Sequence, residues 1–244
     1  MKNQYVGDIG DYGKYGLLKY LALHDIIIGV NWYLTENDDS NDGKHISYLK
    51  DEKERVYDSE VYDLLKSIAG DKYKSVKMIK EAGIIPNALF FDDILNTTDF
   101  PCEKRRAIRI DWHAKAMKAL HPVQLVFADP DNGTIGTKSP TSKDAEKYTT
   151  LEELADYYNR GQDIVYYCQK ARRTDDQWND KKNELKAVLP DVEIAVLTFA
   201  RGTRRSYIFG IHPERYAKYD QLIEEFINTD WGTVGKKRMF LREK

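Results

Sequence analysis

The sequence predicts an α/β fold in which a mostly parallel central sheet is closed by an antiparallel C-terminal hairpin and covered by helices on both faces. Three observations carry this expectation. Continuous apolar runs, the mark of strands buried on both faces, alternate with segments of helical period along the 244 residues. Polar clusters follow several of those runs directly. The last two runs, residues 192–199 and 206–211, are joined only by Ala200-Arg201-Gly202-Thr203-Arg204-Arg205, too short for a helical crossover, so they pair antiparallel.

In chain order, the first helix covers residues 12–23, with Leu17, Leu18 and Leu21 on one face. Strands follow at 26–34 and 88–92, and the highly charged stretch between them reads as a helical insertion, at about 50–82, over one edge of the sheet. Residues 104–120 place Ala107, Ile110, Ala114 and Met117 at helical spacing, a face expected to pack on the sheet, and His121-Pro122 ends that helix because the residue before proline disfavours helical geometry. A strand at 123–129 comes next. Thr150, Leu151, Glu152 and Glu153 form a capping box opening a helix to about Tyr158, and a strand at 163–168 follows it. Pro213, preorganised for a first helical turn, opens a helix that buries Tyr216, Tyr219, Ile223 and Phe226. The pattern is Rossmann-like, and residues 1–244 read as a single domain.

Composition narrows the function classes. Hydrophobic residues make up 41% and charged residues 32%, which fits a folded globular chain and excludes general disorder. No apolar run approaches the roughly 20 residues that span a bilayer, and Met1-Lys2-Asn3-Gln4-Tyr5 lacks an apolar signal core, so a cytoplasmic location and no membrane partner are expected. Cys102 and Cys168 are too few for a disulfide framework, and neither they nor the five histidines have metal-ligand spacing. A net charge of -2 provides no global attraction to nucleic acid, so such a partner would depend on local basic clusters. Two of these, Arg172 with Arg173 and Arg201 with Arg204 and Arg205, follow strands near the expected rim, and a third is Lys236-Lys237-Arg238. Each also suits an ordinary solvated face.

In an open α/β sheet, ligands collect beyond the carboxyl ends of the strands. Three runs here end in carboxylates: the segment from Thr35 to His45, with Glu36, Asp38, Asp39 and Asp42; Asp92-Asp93; and Asp129-Pro130-Asp131-Asn132-Gly133. The last is the sharpest signal, because proline cannot continue a central ladder and leaves polar groups facing the crevice. Asp, Asn and Gly also suit a plain strand-ending turn. The glycines of Gly7-Asp8-Ile9-Gly10-Asp11-Tyr12-Gly13-Lys14-Tyr15 permit close ligand approach and Lys14 can meet a carboxylate or phosphate, although glycine-assisted loop packing explains the pattern equally well.

These residues resemble, in order, short stretches of the large-subunit ribosomal-RNA adenine-N6 methyltransferases of the J type, class I S-adenosylmethionine-dependent enzymes. Gly7, Asp8, Asp11, Lys14 and Tyr15 are similar to that family's Gly-Asn-His-Ala-Asp-Val-Leu-Lys-His segment. Leu125 to Asn132 resembles the strand bearing its Asp-Pro-Pro-Tyr motif, with Asp131 and Asn132 in place of the second proline and the aromatic residue. Glu193 to Leu197 followed by Arg204-Arg205 resembles its terminal hairpin. The resemblance implies S-adenosylmethionine as cofactor, with contacts from Lys14, Tyr15, Thr35, Asp38, Asp92 and Asp93. It implies a nucleic-acid or nucleotide substrate around Asp129, Pro130, Asp131 and Asn132; separately, the basic clusters with Arg172, Arg173, Arg201, Arg204 and Arg205 suit the backbone of such a substrate.

Two other readings stand beside it. The acidic rim suits a Mg²⁺-dependent nuclease or phosphoryl-transfer enzyme using Asp38, Asp92, Asp129 and Asp131. The altered loop and missing aromatic suit a binding or regulatory protein that kept the fold without the chemistry.

Overall fold

A computed structural model describes residues 1–39, 45–136, 138–233 and 238–243. Its elements, in chain order, are α1 (Ile9–Leu23), β1 (Ile28–Asn31), α2 (Ser59–Ala69), α3 (Val76–Ala82), β2 (Leu89–Phe91), α4 (Cys102–Ala119), β3 (Leu125–Ala128), α5 (Leu151–Asn159), β4 (Asp163–Gln169), α6 (Asp175–Asn183), β5 (Glu193–Phe199), β6 (Arg205–Ile211), α7 (Pro213–Ile227), α8 (Asp230–Thr233) and β7 (Phe240–Glu243). The strands form one sheet in the order β2-β1-β3-β4-β6-β5-β7. β2, β1, β3 and β4 run parallel, β6 lies antiparallel between β4 and β5, and β7 pairs antiparallel with β5. This is the expected Rossmann-like α/β architecture, closed by the expected hairpin. Among the described residues no helix is long and apolar enough to cross a membrane.

Alternation along the strands explains the two helical layers. Leu125 and Phe127 of β3 face a core shared with Leu17, Leu18 and Leu21 of α1 and with Tyr219, Ile223 and Phe226 of α7. Val126 and Ala128 face the opposite core, with Trp112 and Ala116 of α4 and Leu154 and Tyr157 of α5. Each fully buried aliphatic or aromatic side chain contributes about 1.5–3 kcal/mol, so both faces are driven to stay covered. Capping sets the helix starts: Asp8 accepts from Gly10 N ahead of α1, and the Thr150–Glu153 capping box opens α5.

Three expectations are corrected. The first strand ends at Asn31 rather than Leu34, because Tyr33 adopts a positive φ of 44° and turns the chain off the sheet, so Trp32, Tyr33 and Leu34 are buried as loop. The face of α4 turned to the protein carries Arg105, Arg109, Trp112, His113 and Ala116, while Ile110 is 60% exposed and Ala107 and Ala114 are also outside. Buried hydrogen bonds from Arg105 to the Phe100 and Thr141 carbonyls, and the buried Arg109–Glu153 ion pair, override the apolar stripe. Finally, β7 adds a strand beyond the hairpin that the sequence did not announce.

Strand register positions the site. Asn31 lies opposite both Phe91 and Ala128, so Trp32, Asp92 and Asp129 leave the sheet at one level. The chain runs outward from β1 to β2 and then crosses back to β3, making the β1–β3 crevice a topological switch point.

Candidate active site

At the end of β3, Asp129 N still donates to Asn31 O at 2.9 Å, and Pro130, which has no N–H, stops the ladder there. The residues beyond it are pinned to a second segment: Asn132 N donates to Lys147 O at 3.0 Å, Thr149 N to Gly133 O at 3.0 Å and Ile135 N to Thr149 O at 2.8 Å. Gly133 has φ +84°, and a Cβ there would lie 2.8 Å from Cys168 Sγ, so the backbone passes where only glycine fits. The second segment is fixed by Arg109, whose guanidinium meets Glu153 at 2.6 and 2.8 Å, Ala145 O at 2.8 Å and Tyr148 O at 2.6 Å. Asp129-Pro130-Asp131-Asn132-Gly133 is thus a fixed wall rather than a free turn.

The start of α1 supplies the opposite wall. Asp11 and Lys14, three residues apart, share a helix face, and Lys14 Nζ lies 2.7 Å from Asp11 Oδ1 and 2.6 Å from Asp129 Oδ2. All three are almost fully buried, at 3%, 4% and 5% exposure for Asp11, Lys14 and Asp129. Burial acts to lower the Lys14 pKa, but the carboxylates of Asp11 and Asp129 outweigh it and hold the ammonium well above the usual lysine range. Asp129 Oδ1 accepts no hydrogen bond from a described residue.

Between the walls is a cavity of about 410 Å³, floored by the ends of β4 and β6. Arg205, the first residue of β6, reaches Asp8 Oδ1 at 2.7 Å, and the missing side chain of Gly10 makes room, since a Cβ there would lie 2.5 Å from Arg205 Nε. Tyr167 and Tyr207 sit opposite each other in register, with ring centroids 6.4 Å apart. The Tyr207 hydroxyl is buried and has no hydrogen-bond partner among the described residues, and burial pushes its pKa well up. The α-amino group of Met1 lies 2.6 Å from Asp131 Oδ1 and donates to Tyr33 O at 3.1 Å.

The sequence-predicted residues divide. Lys14, Asp129, Pro130, Asp131, Asn132 and Arg205 all line this cavity. Tyr15 is a buried core residue whose ring lies 5.1 Å from Lys14 Nζ. On the other side of β1, Thr35 is buried and donates its N–H to Met1 O at 2.9 Å, and Asp38 pairs with Lys2 and accepts from Gln4 at 3.0 Å. Asp92 pairs with Lys80 at 3.1 Å, while Asp93 offers its carbonyl to Trp112 Nε1 at 3.0 Å. None of these four lines the cavity. Of the basic clusters, Arg201 pairs with Glu54, Arg173 donates to Gln169 O at 2.7 Å, and Arg172 and Arg204 are exposed. Ser40, Asn41, Asp42, Gly43, Lys44, Lys236 and Lys237 lie outside the described residues.

Cavity residues that sequence reasoning did not select include Asp8, Asp11, Lys147, Tyr167, Gln169 and Tyr207. For Asp11 the signal was its three-residue spacing from Lys14; Lys147 carried none. The four carboxylates of the Mg²⁺ reading do not converge: Asp38 and Asp92 lie off the cavity, and Asp129 and Asp131 are each bound to a cation. Among the described residues no three His, Cys, Asp or Glu group as metal ligands.

No model of a known protein family matches this sequence, and a search of curated proteins finds no match either. The architecture itself is compatible with nucleotide- and cofactor-binding enzymes in general.

Proposed function

We propose that this chain is a methyltransferase-like enzyme that uses S-adenosylmethionine and accepts the exocyclic amine of a base in a nucleotide or nucleic acid. The observation that carries the reading is Asp129 itself, a cavity-lining residue beside Pro130: Lys14 holds one carboxylate oxygen, and the other accepts no hydrogen bond from a described residue. A base amine is a poor nucleophile because its lone pair is delocalised into the ring. Asp129 Oδ1 and the Pro130 carbonyl, accepting its two hydrogens, aim that lone pair, and alignment of this kind supplies much of the acceleration. Lys14 and the Asn31 carbonyl keep the acceptor pair from rotating away. The mostly parallel sheet closed by a hairpin, the arrangement found in class I methyltransferase folds, supports the same reading.

The cavity's donor set fits the cofactor. Asp8 and Asp11 retain acceptor capacity suited to its ammonium, and the rings of Tyr167 and Tyr207 suit a sulfonium cation. The unpartnered Tyr207 hydroxyl is a further donor for a ligand acceptor. S-adenosylmethionine supplies an electrophilic methyl group; the protein's part is to orient the amine. Calorimetry with S-adenosylhomocysteine tests this, with binding at one site expected and D129N retaining it while losing methyl transfer by roughly 10²–10³-fold. A folded protein that binds neither S-adenosylmethionine nor S-adenosylhomocysteine rules the reading out.

A further inference from the structure

The cations around the cavity are of two kinds. Lys14 is committed to Asp11 and Asp129, Arg205 to Asp8 at 2.7 Å, and the Met1 α-amino group to Asp131 at 2.6 Å. Lys147 differs. It is half-buried in the wall beside Asn132, and its ammonium has no ion pair or hydrogen bond among the described residues.

Its backbone, by contrast, is held on every side. Lys147 O accepts from Asn132 N at 3.0 Å, Lys147 N donates to Asp144 O at 3.1 Å, and the adjoining Tyr148 carbonyl accepts from the buried Arg109 at 2.6 Å. A fixed main chain, a partly covered stem and an ammonium that makes no ion pair with a carboxylate among the described residues together suit an anion receptor. The same backbone bond to Asn132 ties the receptor to the motif that carries Asp129.

We propose that Lys147 binds the phosphate of the nucleotide whose base amine is presented to Asp129, an assignment that rests on the reading above for the position of the base. The site would then select a phosphorylated nucleotide unit over a free nucleoside or a small amine. The phosphate can belong to a mononucleotide or to a strand, and the chemistry recognised is the same.

The test uses the whole protein and Lys147→Met, which keeps the stem and removes the charge. Calorimetry is run with adenosine 5′-monophosphate, with adenosine and with a short single-stranded adenine oligonucleotide. Wild type should prefer the monophosphate to adenosine, and the variant should lose roughly 5–20-fold for the monophosphate with little change for adenosine. If the natural source is a strand, the oligonucleotide should bind more tightly than the monophosphate, and the variant should lower its logarithmic salt slope by about 0.7. Equal binding of monophosphate and adenosine by wild type, or an unchanged ratio in the variant, overturns the assignment. Binding of S-adenosylhomocysteine with no binding of either phosphorylated probe also overturns it and leaves the cofactor reading standing. Lys147-dependent phosphate binding without S-adenosylhomocysteine binding does the reverse.

Discussion

On the β2 side of β1 the strand-end loops are closed over by the chain itself, whereas on the β3 side they open onto a cavity. The two sides began from similar residues, a row of carboxylates at strand ends. On the closed side, Asp38 is taken by Lys2, Asp92 by Lys80, and the Thr35 N–H by the Met1 carbonyl. On the open side, Lys14 occupies only one oxygen of Asp129, and Lys147 and the Tyr207 hydroxyl are without partners among the described residues. The difference teaches that a carboxylate at a strand end marks a site only when its neighbours leave it an unused acceptor beside open space.

The largest expected effect that tests this contrast comes from Lys14→Met. It leaves Asp11 and Asp129 as buried carboxylates without their cation and should cost about 3–5 kcal/mol in urea unfolding. Because the folded-state pKa of Lys14 is raised, the stability it contributes is present below the ordinary lysine value and is lost as pH climbs through the raised one. The wild-type stability curve should therefore fall on that alkaline limb, and the variant should lack the fall. A smaller effect of opposite sign is expected for Tyr207→Phe. Removing an unpartnered buried hydroxyl should raise the ligand-free unfolding temperature by about 2–4 °C while weakening S-adenosylhomocysteine binding; a lower unfolding temperature would show that the hydroxyl serves the fold. Smallest of all, Asp92→Asn on the closed side should change stability by about 0–1 kcal/mol and leave ligand binding alone, as expected for a pair of partly exposed side chains. A marked loss of cofactor affinity in that variant would erase the distinction between the two sides.

Much of the fold was legible because its signals are local. Apolar runs, the Thr150–Glu153 capping box, Pro213 and the short link between β5 and β6 each report on a few neighbouring residues, and apart from the end of the first strand they appear where the sequence placed them. The α4 face was misread because Arg105 and Arg109 turn inward to meet partners 36 to 44 residues away, and no local period reveals such pairing. Of the site, the sequence determined the wall from Asp129 to Asn132, where proline must end a buried strand, and pointed to Lys14 as a cation near it. Only the tertiary structure decided which of the rim carboxylates stay open. That choice depends on contacts across 115 residues between Lys14 and Asp129, on Met1 lying between β1 and β3, and on a lysine at position 147 with no ion pair among the described residues. Charge pairing over such separations is set by where the sheet order brings distant segments together, and strand order is a property that local sequence does not encode.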